Sequence, residues 1–178
     1  DLIKLESADP YVKVQIGDQS VTTNLVGDYN FQNIAAAFSM AHYFGISHDL
    51  IAKALANFTP EENRSQFVET DNNQIVLDAY NANPSSMELA IQNFARMKAT
   101  SKSVILGDML ELGESSFDEH LATINQLQEH HFDHIFLVGK AFYEHKFPAD
   151  NFRFFNNFDE LKKHLEDHPL KDQLILIK

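Results

Sequence analysis

Two polar strings in this 178-residue sequence stand directly behind apolar runs, where side chains could do chemistry. The first is Asp78-Ala79-Tyr80-Asn81-Ala82-Asn83-Pro84. A carboxylate at such a place can accept from a ribose diol. The two amides supply donors and acceptors without charge. Pro84 suits the first turn of a helix, because its missing N–H would be unpaired there anyway. The other N–H groups of that turn are free to receive a phosphate or carboxylate. A plainer reading makes Asn83 an N-cap and Asp78 a turn residue, yet capping needs only one of these polar groups. The second string is Gly107-Asp108-Met109-Leu110-Glu111-Leu112-Gly113. Two glycines bracket an apolar-acidic loop, as in a loop folding over a ligand or in an ordinary connection.

Other residues qualify on weaker grounds. Arg64, in Glu61-Glu62-Asn63-Arg64-Ser65, is either solvated or a phosphate contact, for which the guanidinium fork is well shaped. Asn30 and Asn33 lie three apart at a helix start and so on nearby faces. One can cap the helix, and the other can meet an adenine edge or a neighbouring loop. His130, His131 and His134 cluster, but no acidic partner follows the zincin pattern, so they read as solvated or capping. His120 lies on the helix after the second string, better placed to face a ligand. There is no G-x-x-x-x-G-K-[ST] phosphate loop, since Gly139-Lys140 is followed by Ala141. No metal ligands can be named.

The elements that must carry these residues follow from periodicity. Tyr11 to Ile16 alternates apolar and polar, Gly17-Asp18 can turn, and Ser20 to Leu25 reads as the return strand of a hairpin. An Ala-rich helix over Phe31 to Phe44 is expected to be capped by Asn30, ended by Gly45 and largely buried. A second helix runs from a Ser47 cap to about Asn57, with Leu50, Ile51, Ala54 and Leu55 on one face. Thr59-Pro60-Glu61-Glu62-Asn63 reads as a linker and divides the chain into residues 1–60 and 61–178. Beyond it, strands are expected at Gln66 to Thr70, Gln74 to Asp78, Ser103 to Leu106, His134 to Val138, Phe152 to Phe155 and Gln173 to Ile177. Helices are expected from Pro84, from a Ser116/Glu119 capping box and from Asn157/Glu160. Apolar strands alternating with helices indicate an α/β fold, a mostly parallel sheet with helices on both faces. Ligands of such sheets sit beyond the carboxyl ends of the strands.

Composition sets the outer limits. Asp plus Glu is 26 against 14 Lys plus Arg, a formal charge of −12, which argues against sequence-blind nucleic-acid binding. Hydrophobic residues make up 44%, with fifteen Phe, enough for a packed core. The absence of Cys excludes a thiolate nucleophile and a disulfide scaffold and fits the cytoplasm. No apolar run approaches the ~20 residues of a membrane span, and the first residues do not read as a signal peptide.

Taken together, Gly27-Asp28-Tyr29-Asn30-Phe31-Gln32-Asn33, Asn63-Arg64-Ser65-Gln66 and the two strings resemble the Mur ligases, in the right order and over nearly the whole chain. Among these, the strings are most similar to those of the branch that acts on D-alanyl-D-alanine. The resemblance implies that residues 1–60 are the C-terminal part of a central ATPase domain. Residues 61–178 would be a Rossmann-like C-terminal ligase domain. The substrate domain and phosphate loop would lie upstream, so the chain reads as a fragment, inactive alone.

The activity implied is ATP- and Mg2+-dependent joining of D-alanyl-D-alanine to a UDP-N-acetylmuramoyl-tripeptide through an acyl phosphate, in peptidoglycan precursor synthesis. By the same resemblance, Arg64 would contact ATP phosphates or ribose and Asp78 the ribose. Asn30 and Asn33 would approach the adenine. Tyr80, Asn81 and Asn83 would stand near nucleotide and acceptor, and Asp108 with Met109 would help to form the acceptor pocket. Alternatives are a non-catalytic nucleotide- or peptide-binding module and a folylpolyglutamate-type ligase fragment. Two departures from the family pattern stand out. Tyr29 replaces a common His, and Asn63 replaces a common Gly at a turn that Asn can tolerate.

Overall fold

A computed structural model describes residues 2–178. Contacts cluster into two units, residues up to Phe67 and Val68–Lys178.

In the first unit, β1 (Ile3–Ala8), β2 (Tyr11–Ile16) and β3 (Gln19–Val26) form an antiparallel sheet in that order. The alternation of β2 buries Val12, Val14 and Ile16 on one face, against Ile34 and Phe38 of α1 (Asn30–Tyr43) and Ile51 and Ala52 of α2 (His48–Asn57). The sequence reading has no strand at β1, whose residues are mostly exposed and lack the alternation that marks β2. The expected burial of α1 is also corrected. Only Asn30, Ile34 and Phe38 are buried, while Met40 and Tyr43 are exposed. On α2 the inward residues are Ile51, Ala52 and the half-buried Leu55, so Leu50 and Ala54 point outward.

The second unit is built on a six-stranded sheet of order β4-β5-β9-β6-β7-β8. Its strands are β4 (Gln66–Glu69), β5 (Asn73–Leu77), β6 (Lys102–Gly107), β7 (His134–Val138), β8 (Phe152–Phe155) and β9 (Gln173–Ile177). Pairings from β5 through β8 are all parallel, and the tight turn from β4 to β5 can only return the chain antiparallel. The helices are α3 (Pro84–Arg96), α4 (Ser116–Gln128), α5 (Lys140–Glu144) and α6 (Phe158–Asp167). On one face, α6 sets Leu161 and Leu165 against Phe136, Phe155 and Ile105. Strand alternation turns Ile135, Leu137, Val104 and Leu106 to the other face, and all four are fully buried. Helices α3 and α4 pack together, as do α4 and α5. The expected α/β sheet, mostly parallel and covered on both faces, is what the chain forms.

Three local expectations differ. The capping box at Ser116 and Glu119 does not form, because a 3-10 turn at Gly113–Ser115 makes Ser115 the N-cap, without a side-chain bond. Helix α5 is too short to leave a periodic signal. At α6, Asn157 caps as expected, its Oδ1 accepting from the Glu160 N–H at 3.0 Å, but Glu160 accepts from the Asn156 N–H instead of completing a box.

The α6 layer carries a pH dependence. The His164 ring packs against Phe136 and Phe155 and stacks on His168. Burial, with His168, Arg153 and His134 nearby, holds its pKa below the ordinary 6.5, against the pull of Asp167. A base with a depressed folded pKa binds fewer protons than in the unfolded chain, so its stabilising contribution is complete above pH 6.5 and is lost as pH falls through the folded pKa. Thermal melting should therefore show the second unit losing stability as pH is lowered from 7.5 to 5.5, and His164→Phe should flatten that slope.

Candidate functional site

The first unit places two of the expected residues at the start of α1. Asn30 does not cap the helix. Tyr29 is the N-cap, without a side-chain bond, and Asn30 is the first helical residue, buried. Its Nδ2 donates to the Val26 carbonyl at 2.8 Å, and its Oδ1 accepts from Asn33 Nδ2 at 3.0 Å. The two amides are thus brought together, with Asn33 at the exposed end. The Tyr29 hydroxyl lies 2.8 Å from the Ser65 hydroxyl and ties the helix start to the turn holding Arg64. That turn is tightly wound. Glu62, Asn63 and Ser65 adopt positive φ values of 57°, 58° and 48°, and the Arg64 N–H donates to the Glu61 carbonyl. Three non-glycine residues in the left-handed region are costly, and they leave Arg64 exposed while Ser65 is buried.

In the second unit the two polar strings lie on one edge. Strands β5 and β6 are parallel to β9 between them, so Asp78 and Asp108 leave the sheet at the same carboxyl edge, two strand spacings or about 10 Å apart. Between them, continuing β9, is Lys178, which the sequence reading did not single out. Its backbone pairs with β6, donating to the Ile105 carbonyl and accepting from the Gly107 N–H. Its ammonium lies 2.7 Å from Asp78 Oδ2, with the Asp78 and Asn81 carbonyls at 3.5 Å. The lysine side chain is 2% exposed and the aspartate 18%. No sequence pattern marks this pair, because Lys178 reads as an ordinary polar residue after an apolar strand.

The remaining residues of the first string turn outward or cap. Tyr80 and Asn81 are exposed. Asn81 Oδ1 accepts from the Ala82 N–H, which shapes the turn. Asn83 is the N-cap of α3 in a reciprocal box. Its Oδ1 accepts from the Ser86 N–H at 2.9 Å, while its own N–H donates to Ser86 Oγ. Pro84 follows at the first helical position, as expected.

Asp108 faces into the protein. Its two carboxylate oxygens accept from the N–H groups of Ala141 and Phe142, each at 3.0 Å, and so cap α5 from another strand. Gly139 makes room for this. Its φ is 130°, and a Cβ there would fall 2.1 Å from the Asp108 Cγ. Met109 is 2% exposed, so its side chain belongs to the core. The outer part of the loop, with Leu110 exposed, borders a cavity of about 520 Å³ together with Phe117, Lys140 and Glu144. His120 is fully buried beneath the loop rather than facing a ligand. His130 and His131 lie at the opposite, amino edge, beside Asp133.

Two substitutions test these arrangements. Gly139→Ala combines a disfavoured φ with a clash against a capping carboxylate and should destabilise the second unit by about 2–4 kcal/mol in denaturant unfolding. Lys178→Met should destabilise the second unit by about 1.5–3 kcal/mol, because it removes a 2.7 Å charge-assisted hydrogen bond to Asp78. Lys178→Arg should recover part of that loss.

Comparison with known proteins now adds identity to geometry. The profile of the Mur ligase, glutamate ligase domain matches residues 63–178. The UDP-N-acetylmuramoyl-tripeptide--D-alanyl-D-alanine ligase of Bacillus subtilis is 32% identical over 162 residues, covering 86% of this chain and 35% of that protein. The solved D-alanyl-D-alanyl ligase of Acinetobacter baumannii superposes with a TM-score of 0.80 at 27% identity, over 99% of this chain and 39% of the other. A MurF ligase from Thermotoga maritima, solved in complex with ADP, has the same fold, with a TM-score of 0.77 at 22% identity, 99% of this chain and 42% of the other. The chain thus spans about a third of the length of the curated relatives it matches. On the matched domain and these identities, the chain belongs to the Mur ligase family.

Proposed function

We propose that this chain is part of a cytoplasmic ATP-dependent peptide ligase that adds D-alanyl-D-alanine to a UDP-N-acetylmuramoyl-tripeptide. The observation that carries this reading is the 32% identity to a ligase of that activity across 86% of the chain. The polar carboxyl edge of the parallel sheet supports it, being where such folds place their ligands. Residues 1–60 are read as the end of the ATPase domain and 61–178 as the C-terminal ligase domain. The other domains of the same polypeptide supply the phosphate loop.

In this reading the terminal carboxylate of the tripeptide attacks the γ-phosphorus of ATP, which forms an acyl phosphate and releases ADP. The amine of D-alanyl-D-alanine then attacks the acyl carbon and gives up a proton to solvent, and phosphate leaves with the bonding pair. Catalysis of this kind is mainly positioning and charge neutralisation. The exposed Arg64 suits the ATP phosphates or ribose, and Asp78 the ribose, with one oxygen held by Lys178. Asn33, oriented by Asn30, lies on the adenine side. Tyr80 and Asn81 flank nucleotide and acceptor, and Asn83 orders the α3 N-terminus beside them. Asp108 and Met109 shape the acceptor loop through the backbone, since their side chains are bonded or buried within it. Mg2+ accompanies ATP. Among the described residues no group of three or more His, Asp or Glu could hold it.

The test is kinetic, in the full-length enzyme. Arg64→Ala and Asp78→Asn should each lower kcat/KM for ATP by roughly 10- to 150-fold, the value of one charge-assisted contact. Unchanged kinetics in both would refute the site. The 178-residue chain alone should form no ligated product.

A further inference from the structure

We infer that His120 is a positioning residue that fixes the backbone of the Gly107–Gly113 loop. Its imidazole is fully buried under that loop, eleven residues along the chain from the group it holds. The Met109 N–H donates to His120 Nε2 at 3.0 Å. Because Nε2 accepts, the ring carries its proton on Nδ1, which lies 2.7 Å from the Ser116 carbonyl and donates to it. Both nitrogens are therefore committed, one to the loop and one to the first turn of α4. The Phe142 ring meets the imidazole edge-on at 4.6 Å, and Asp108 Oδ1 stands 3.7 Å from Nε2.

The loop needs such an anchor. Beyond Met109 it places Glu111 and Gly113 in the left-handed region, with φ of 62° and 57°. Leu110 is 74% exposed, so burial does not hold the loop tip. Asp108, one residue before the anchored amide, caps α5. The imidazole thus sets where the carboxylate leaves the strand and where the exposed tip begins. For what the loop does, this inference rests on the proposed ligase, in which the tip borders the acceptor. For how the loop is held, it stands on geometry alone.

Two measurements test it. In the 178-residue chain, amide hydrogen exchange is compared for wild type, His120→Phe and His120→Gln. In His120→Phe the Met109 amide should exchange roughly 5- to 150-fold faster, the loss of one buried partner. His120→Gln should restore most protection, since its Oε1 lies as many bonds from Cβ as Nε2 and can accept. The amides of Ile135 and Leu137 in β7 should stay slow in both. Unchanged Met109 exchange in His120→Phe overturns the inference. Equal acceleration at β7 overturns it too, because the ring would then be a packing element only. In the full-length ligase, His120→Phe should raise KM for D-alanyl-D-alanine about tenfold, with kcat and KM for ATP changed less than about twofold. Rescue is expected from His120→Gln. A loss shared by kcat and both KM values overturns the positioning role. A wild-type enzyme that makes no product refutes the ligase reading and leaves the exchange result to decide the inference.

Discussion

The ion pair of Lys178 and Asp78 joins two strand ends a hundred residues apart in sequence. Taking both charges out of water is expensive, and only close geometry with further hydrogen bonds offsets it. The 2.7 Å contact and the two nearby carbonyls supply that geometry. The pair forms only in the observed register of β9. A slip of β9 by one residue would move the ammonium to the other face of the sheet, away from Asp78 at the carboxyl edge. The turn from Asp78 to Asn83 is held by this contact together with the Asn81–Ala82 bond, and the Asn83–Ser86 box starts α3.

The neighbouring strand end is closed by a different device with the same logic. Asp108 leaves β6 and spends both oxygens on the first turn of α5, which has five residues and little stability of its own. A helix this short survives because a carboxylate from another strand satisfies its orphan N–H groups. Gly139 is required because the carboxylate occupies the volume of a side chain. Loop, helix and glycine therefore form a single unit.

What the sequence made legible follows from the range of each interaction. Strands β2 to β9 announce themselves through local alternation or short strand-like runs, and Asn83-Pro84 announces α3. The edge strand β1 and the short α5 do not, because pairing to a neighbour and a remote cap create them. Asn30 failed as a cap for a related reason. Its amide prefers the Val26 carbonyl and Asn33, a choice visible only once β3 and α1 are adjacent. Likewise, the sequence shows Asp108 as an acidic residue behind a strand, but its direction depends on the amides of Ala141 and Phe142. Lys178 was missed because a single lysine carries no pattern.

The resemblance implies a histidine where Tyr29 stands and a glycine where Asn63 stands, and the structure shows what the residues present do there. Asn63 replaces a glycine and still takes φ of 58°, a conformation that Asn reaches more readily than most residues. Tyr29 replaces a histidine, and its hydroxyl reaches Ser65. The left-handed residues wind the turn, and the Tyr29–Ser65 contact fastens it to the start of α1. Together they account for a turn in which Ser65 is buried and Arg64 is exposed.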